Sequence, residues 1–261
     1  LKGLIVIDLT RVLAGPYASM ILSDLGARII KVEPPLGDDS REFSPFVNNQ
    51  SAYFASLNRE KESIKLDLKS EKDKLIFDEL IKNADILLEN YKPGTMEKLG
   101  YGYKSLSKKY PNLIYASCSG FGQTGPWATK PAYDMIVQGM GGLMSVTGHE
   151  GQEPVRVGTS IGDITAGLFT TIGILASLID KNKHGNGQAV DVSMLDCQIA
   201  ILENVIARYF ATGESPPPGG SRHPAIAPFE CYRCKDGYIV MACGNNAMFE
   251  RMCKAINKDE L

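Results

Sequence analysis

The fold is decided by the sequence Leu4-Ile5-Val6-Ile7-Asp8-Leu9, a short run of apolar, largely β-branched residues that predicts a buried strand. An amphipathic stretch from Tyr17 to Leu25 predicts a helix that ends at Gly26. A second run, Arg28-Ile29-Ile30-Lys31-Val32-Glu33, predicts another strand, which two prolines terminate. A strand, a helix and a strand in this order form a βαβ unit, so the sequence predicts a parallel sheet.

The same alternation of strands and helices continues through the first half of the chain. Further strands are predicted at Ser63–Leu68, Asp85–Leu88 and Leu113–Ala116, and helices at Glu71–Asn83 and Lys104–Tyr110. Such alternation is typical of α/β proteins. We therefore expect a large domain built on a doubly wound, mainly parallel, Rossmann-like sheet.

The second half of the chain differs, because long helical segments rich in small residues replace the alternation. They are predicted at Tyr133–Val146, Asp163–Asp180 and Ser193–Thr212. Residues 213–220 are rich in glycine and proline and predict a linker. A strand at Gly237–Ala242 and a helix at Asn246–Ile256 are predicted beyond it. We therefore expect a large domain at 1–212, a linker at 213–220 and the start of a smaller α/β domain at 221–261.

Composition excludes several classes of protein. The 261 residues are 44% hydrophobic and 22% charged, which is typical of a globular protein and excludes disordered and fibrous chains. A net charge of −2 gives no general attraction to nucleic acid or to an anionic membrane. No apolar run reaches the roughly 20 residues that span a bilayer. The six cysteines are scattered and no secretory leader precedes them, so we expect a cytoplasmic protein without membrane or nucleic-acid partners.

Sequence motifs for common cofactors are weak or missing. The loop Thr10–Pro16 after the first strand has one glycine, which disfavours ordinary NAD binding because that needs G-x-G-x-x-G. Arg11 follows the carboxyl end of a predicted strand, where open α/β sheets bind ligands, so it is either an anion contact or a surface arginine. The pair Cys231 and Cys234 is a lone C-x-x-C without a second pair, so we expect no metal.

A glycine-punctuated loop places Asp163 in the first turn of a long apolar helix. Gly162 and Gly167 leave space around its carboxylate, and the helix dipole is expected to keep that carboxylate ionised. Two interpretations are open. Asp163 is a nucleophile, or it is the helix N-cap, which the residues alone favour.

Taken in order, these and further segments resemble the class III (family III) coenzyme A transferases, the carnitine dehydratase and bile-acid-inducible family. The matching segments are Asp8–Pro16, Gly26–Pro34, Leu57–Arg59, Glu89–Gly94, Gly120–Pro126, Tyr133–Asp134, Asp163 with Gly167, and Gly185–Asp191. The resemblance implies a CoA-transferase that moves CoA from an acyl-CoA donor to a small carboxylic acid. Coenzyme A is then a substrate, and no tightly bound cofactor is expected.

The resemblance also implies roles for individual residues. Asp163 is the implied nucleophile, which forms first an aspartyl anhydride and then an aspartyl-CoA thioester. Asp134 is implied to support the reacting centre. The expected CoA-contact residues, of which the three basic ones would meet the phosphates, are Arg11, Val12, Leu13, Ala14, Arg59, Lys69, Asn90, Tyr91, Tyr133 and Asp134.

Further expectations concern assembly and substrate. The resemblance implies an interlocked homodimer, a chain that continues beyond residue 261, and a glycine-rich loop near Gly219 and Gly220. Succinyl-CoA is an expected donor, whose distal carboxylate would meet Arg156 or the pair Arg222 and His223. Two alternatives stay open. One is an α-methylacyl-CoA racemase, although racemases of this fold carry a histidine where this chain has Tyr133; the other is a non-catalytic CoA-binding subunit.

Overall fold

A computed structural model describes residues 1–260. The strands are β1 (Ile5–Asp8), β2 (Arg28–Glu33), β3 (Phe46–Val47), β4 (Gln50–Ser51), β5 (Glu62–Lys65), β6 (Ile86–Glu89), β7 (Ile114–Ser119), β8 (Ala189–Ser193), β9 (Phe229–Arg233) and β10 (Tyr238–Ala242). The helices are α1 (Ala14–Asp24), α2 (Ala52–Asn58), α3 (Glu71–Lys82), α4 (Thr95–Leu99), α5 (Tyr103–Lys109), α6 (Asp134–Met140), α7 (Leu143–Val146), α8 (Ile161–His184), α9 (Met194–Ala200), α10 (Asn204–Thr212) and α11 (Asn246–Ala255).

Six strands form one parallel sheet in the order β5-β2-β1-β6-β7-β8. In chain order this is 3-2-1-4-5-6, the strand order of a Rossmann fold. The predicted α/β class with a parallel, Rossmann-like sheet is therefore confirmed. The strand order reverses between β1 and β6, which are paired with Val6 opposite Ile86. Ligands of such sheets bind beyond the carboxyl ends of the strands at this switch point.

The two faces of the sheet are buried under different helices. Side chains of a strand alternate between faces, so Val6 and Ile7 in β1 point into separate apolar clusters. Val6 packs with Leu22 of α1 and Ile174 of α8. Ile7 packs on the opposite face with Phe77 of α3. Both faces are covered, and the continuous apolar strands of the sequence reflect that double burial.

Helix α8 packs closely against α1 at a glycine. A Cβ atom at Gly167 would lie 2.7 Å from the carbonyl oxygen of Ala14 and 3.1 Å from the ring of Tyr17. α8 is the one helix among residues 1–260 that is long and apolar enough to cross a membrane. Half of its most apolar window is buried, and Ile174 is fully buried against the sheet, so one side of α8 belongs to the core.

Two of the predicted long helices are broken. The segment Tyr133–Val146 divides into α6 and α7, because Gly142 adopts a φ of 86°, which ends one helix and begins the next. The segment Ser193–Thr212 divides into α9 and α10, and Glu203 between them has a φ of 43°. Helical composition predicted these regions, but the positive φ angles that interrupt them depend on the folded chain.

Two compact units divide the chain differently from the predicted domains. One unit contains Leu1–Gly141 and Gly158–Leu202, and the other contains Gly142–Val157 and the residues from Glu203 onward. The bounds 1–212, 213–220 and 221–261 therefore do not describe these units. The difference arises because the segment around residue 149 pairs with the predicted linker, where Gly220 N donates to Gly148 O at 2.7 Å. The domain organisation of the whole protein stays a prediction.

The second unit contains the antiparallel hairpin of β9 and β10, with Ile239 opposite Tyr232. The predicted strand Gly237–Ala242 corresponds to β10, and its partner β9 was not predicted. All six cysteines are free: Cys231 and Cys234 are exposed and the other four are buried.

We expect Gly167→Ala to destabilise the protein, because its new methyl group overlaps the backbone oxygen of Ala14. The free energy of unfolding should fall by about 1–3 kcal/mol, as for other overpacked sites. Urea denaturation followed by circular dichroism measures it. Gly158→Ala is the matched control, because the space around Gly158 is open. Equal stabilities of the two variants would contradict a close α1–α8 contact at Gly167.

Candidate functional site

The loop after β1 and the loop after β6 meet at the switch point of the sheet. The side chain of Asn90 holds Arg11 at both backbone groups: Oδ1 accepts from Arg11 N at 3.0 Å, and Nδ2 donates to Arg11 O at 2.9 Å. Because β1 and β6 are parallel neighbours, their carboxyl ends bring these two loops to one edge of the sheet. The loops are therefore fixed to each other.

A cavity of about 250 Å³ lies at this edge. Its lining contains eight of the residues predicted from the sequence: Arg11, Val12, Leu13, Ala14, Asn90, Tyr91, Tyr133 and Asp163. The lining residues that were not predicted are Lys92, Pro93, Cys118, Ser119, Gly120, Lys130, Pro131, Ala132 and Met194. The segments Glu89–Gly94 and Gly120–Pro126 had pointed to some of these positions. No sequence signal distinguished Lys130 or Met194.

Asp163 is the third residue of α8, and it is not the N-cap. The cap position belongs to Ser160, so the interpretation of Asp163 as a cap is wrong. The carboxylate of Asp163 instead accepts a hydrogen bond from the backbone N–H of Ala14, the first residue of α1. The close packing of the two helices therefore brings a donor to Asp163 from outside its own helix.

The side chain of Asp134 makes the kind of hydrogen bond that an N-cap side chain would make to α8. Its Oδ1 accepts from Gly162 N at 2.7 Å, and its Oδ2 accepts from Gln138 Nε2 at 2.7 Å. A free N–H group in the first turn of α8 is thus paired by a residue from α6. Asp134 lies outside the cavity lining and contacts the helix that carries Asp163. A contact of Asp134 with ligand stays a prediction.

Burial, together with the nearby charge of Asp134, raises the pKa of Asp163 to about 7, and the Ala14 hydrogen bond opposes this rise. The expectation that the helix dipole keeps this carboxylate ionised is therefore wrong. Burial and the charge of Asp163 also raise the pKa of Tyr53 to about 12, and burial does the same for the Cys118 thiol.

Two of the three predicted basic contacts lie away from the cavity. Arg59 follows α2 and forms an ion pair with Asp24, and Lys69 is exposed beyond β5 at the edge of the sheet. Arg11 does line the cavity, and its guanidinium lies 3.2 Å from Asp39. Contacts of Arg59 and Lys69 with a ligand stay predictions.

A larger cavity, of about 770 Å³, lies on the same unit but lacks Asp163. It contains Glu89, whose burial raises its pKa to about 7. Size alone would favour this cavity. The smaller one is the candidate site because it holds Asp163 and lies at the switch point. Among residues 1–260 there is no group of three or more His, Cys, Asp or Glu side chains arranged to hold a metal ion.

Comparison with known proteins identifies relatives over the whole chain. The model of CoA-transferase family III matches residues 1–261. The acetyl-CoA:oxalate CoA-transferase of Acetobacter aceti is 49% identical over 99% of this chain and 67% of the relative. The succinyl-CoA:glutarate CoA-transferase of Homo sapiens is 42% identical over 100% of this chain and 60% of the relative. The chain thus spans about two thirds or less of these curated relatives.

A solved structure shares the fold closely. The crystal structure of a CAIB/BAIF family protein from Brucella suis is 41% identical to this chain, with a TM-score of 0.91. The match covers 100% of this chain and 70% of that one.

We expect Asp163→Asn to stabilise the protein at pH 8 more than at pH 5. The folded-state pKa of about 7 lies above the ordinary 3.8, so ionisation opposes folding as pH rises from about 4 to about 7. The asparagine cannot ionise and still accepts from Ala14 N. Urea denaturation of both proteins across this pH range measures the difference.

Asp236→Asn, in an exposed bend, is the control and should show no growing difference. Asp134→Asn keeps an oxygen for Gly162 N–H but removes the like charge, so it should move the transition of Asp163 to lower pH. A stabilisation by Asp163→Asn that is constant from pH 5 to pH 8 would contradict the raised pKa.

Proposed function

Because this chain belongs to CoA-transferase family III, we propose that it transfers coenzyme A from an acyl-CoA to a carboxylic acid, with Asp163 as the nucleophile. The observation that carries the proposal is the half-buried Asp163 carboxylate in the switch-point cavity, held by Ala14 N–H. A carboxylate in partly dehydrated surroundings is a better nucleophile than one in water, and its raised pKa reflects that loss of solvation.

The first half of the proposed reaction exchanges the donor acid for Asp163. The ionised carboxylate attacks the thioester carbon, the C–S bond breaks, and a mixed anhydride forms while CoA leaves as the thiolate. The thiolate then attacks the carbonyl carbon of Asp163. The C–O bond of the anhydride breaks, the donor acid leaves as a carboxylate, and an aspartyl-CoA thioester remains.

The second half repeats these steps in reverse with the acceptor acid. Its carboxylate attacks the Asp163 carbonyl carbon and displaces CoA thiolate, which gives a second anhydride. The thiolate then attacks the acceptor's carbonyl carbon, forms the new acyl-CoA and releases Asp163 as a carboxylate. No net proton transfer is needed, and the energy of the thioester is conserved as long as water is excluded.

Ala14 N–H is suited to the steps that occur at the carbonyl carbon of Asp163. Each attack there places negative charge on an oxygen of the Asp163 side chain, and Ala14 N already donates to that group. The cationic side chains in the cavity lining, Arg11, Lys92 and Lys130, would bind the anionic CoA. Arg59 and Lys69 are proposed as more distant phosphate contacts.

A dicarboxylic acid is the proposed acceptor, and succinyl-CoA or acetyl-CoA the proposed donor. The support is that the two relatives described above are named for oxalate and glutarate, with those donors. A role of Arg156, Arg222 or His223 in binding a distal carboxylate stays a prediction. So do the cytoplasmic location and the lack of nucleic-acid and membrane partners.

A racemase is the second candidate function, and Tyr133 disfavours it. Racemisation needs a second proton-transfer group opposite Asp163. Tyr133 lines the cavity but is 79% exposed, and phenols are weak bases near neutral pH.

A homodimer is proposed on the exposed face of α8. Leu168, Ile172 and Ile179 are each at least 42% exposed and are spaced to share one side of the helix. A contiguous apolar stripe of this kind is expected at an interface between copies of the chain.

We expect Ile172→Glu to weaken self-association, because it places a charge in the middle of the apolar stripe. Sedimentation velocity over a range of protein concentrations measures the oligomeric state. Glu250→Gln, on the exposed side of α11, serves as a control and should sediment as the wild type does. A wild type that sediments as a monomer at all concentrations would contradict the homodimer.

We expect a CoA-sized mass increase on the peptide that contains Asp163 after incubation with succinyl-CoA or acetyl-CoA and an acid quench. Asp163→Asn should lose this adduct, because an amide is a poor nucleophile. Intact and peptide mass spectrometry measure both.

An adduct that persists in Asp163→Asn would assign the nucleophile elsewhere. Absence of any adduct, together with α-deuterium exchange in a branched acyl-CoA, would favour the racemase. Binding of CoA with neither result would indicate a non-catalytic subunit.

A further inference from the structure

Val12 in the cavity lining has a strained backbone. Its φ is 67°, in the left-handed region that β-branched residues rarely adopt. It lies two residues before Ala14, whose N–H donates to Asp163. Such strain persists only where the surrounding structure determines the conformation, and it is concentrated at functional sites.

A buried ion pair holds Val12 in this conformation. Val12 N donates to the carboxylate of Asp38 at 3.2 and 3.3 Å. Asp38 is itself fixed by Lys31, whose Nζ lies 2.9 Å from Asp38 Oδ2, and both side chains are 1% exposed. Lys31 Nζ also donates to Thr10 O at 2.6 Å. One ammonium group therefore binds the start of the loop and the carboxylate that fixes Val12.

A second buried pair fixes the start of the loop. Thr10 N donates to Asp8 Oδ1 at 2.8 Å, and Lys61 Nζ lies 3.4 Å from Asp8 Oδ2. The two acids and two lysines balance each other's charge. The two residues before Val12 are thus restrained, since Asn90 also holds the backbone of Arg11.

We propose that Lys31 and Asp38 are positioning residues, which force Val12 into the left-handed conformation and thereby aim Ala14 N–H at the Asp163 carboxylate. This inference rests on the proposed function. Without the acceptor on Asp38, Val12 N–H loses its partner and the residue relaxes toward negative φ. The chain direction after Val12 then changes, and Ala14 N–H moves away from Asp163.

Removing both charges together tests this role. Lys31→Met with Asp38→Leu leaves no unpaired buried charge, so the protein should still fold. We expect the aspartyl-CoA adduct to form about 10–100-fold more slowly, mainly through kcat, since a displacement of about 1 Å has that effect. The matched control is Arg28→Met with Glu62→Leu, which removes an exposed ion pair and should leave the rate unchanged.

A glycine at position 12 separates positioning from general stability. Glycine adopts positive φ without strain, so adding Val12→Gly to the pair-deleted variant should restore the rate by about tenfold relative to that variant. Val12→Gly alone completes the cycle. A residue pair that only stabilised the fold would not be rescued at Val12.

The pH profile gives a second readout. Loss of the Ala14 hydrogen bond should move the acidic limb of the reaction to higher pH, because that bond lowers the pKa of Asp163. The other groups that interact electrostatically with Asp163 are Asp134, Tyr53 and Cys118, and they are unchanged in these variants. Adding Val12→Gly to the pair-deleted variant should return the acidic limb toward its wild-type pH.

The outcomes distinguish this inference from the proposed function. A pair-deleted variant with the wild-type rate and acidic limb, or a loss of rate that Val12→Gly does not restore, would overturn the positioning role while the Asp163 adduct upheld the function. If the wild type formed no adduct, the function would fail. A carboxyl ¹³C NMR titration would then still test the positioning role, since that role requires the pKa of Asp163 to be higher in the pair-deleted variant than in the wild type.

Discussion

The geometry of the rest of the site depends on two contacts of the Lys31 ammonium group, its ion pair with Asp38 and its hydrogen bond to Thr10 O. Lys31 is fully buried on β2, directly opposite Asp8 in the register of the sheet. An uncompensated charge there would cost several kcal/mol, so the chain must supply oxygen atoms around it. Thr10 O and Asp38 do so, and in doing so they define the path of the loop that leaves β1.

The loop after β1 supplies the hydrogen-bond donor at this edge of the sheet. A Rossmann-like sheet places a crevice between β1 and β6 whatever the side chains are, but the crevice gains a donor for Asp163 only because α1 begins at Ala14 in a fixed direction. The loop is restrained by Asp8, Asn90 and Asp38 together, so in the proposed reaction it does not have to reorganise when charge develops on an oxygen of Asp163. Preorganisation of this kind is where a fixed backbone contributes most to catalysis.

The sequence predicted the parts of the fold that local patterns determine. Strand β2 was predicted at its observed bounds, Arg28–Glu33, because its apolar run and the prolines after it are unambiguous. Eight of the lining residues were also predicted, because they follow strand ends or match family motifs. The break at Gly142, the cap at Ser160 and the contact of Asp134 with Gly162 were not predicted, because each depends on segments that meet only in the folded chain. Lys130 was missed since it lies in an irregular segment without periodicity.

Asp163 lies between two close approaches that have opposite electrical effects. On one side, the lack of a side chain at Gly162 admits Asp134, since a Cβ there would lie 2.9 Å from its Oδ1. On the other side, Gly167 admits the backbone of Ala14. Asp134 brings negative charge and raises the pKa of Asp163, and Ala14 N–H lowers it. Burial makes the largest contribution to the raised pKa, which Asp134 and Ala14 N–H then adjust. The two glycines therefore admit the groups that adjust the pKa of Asp163, and a sequence that kept Asp163 but filled either space would keep the carboxylate and lose one of these interactions.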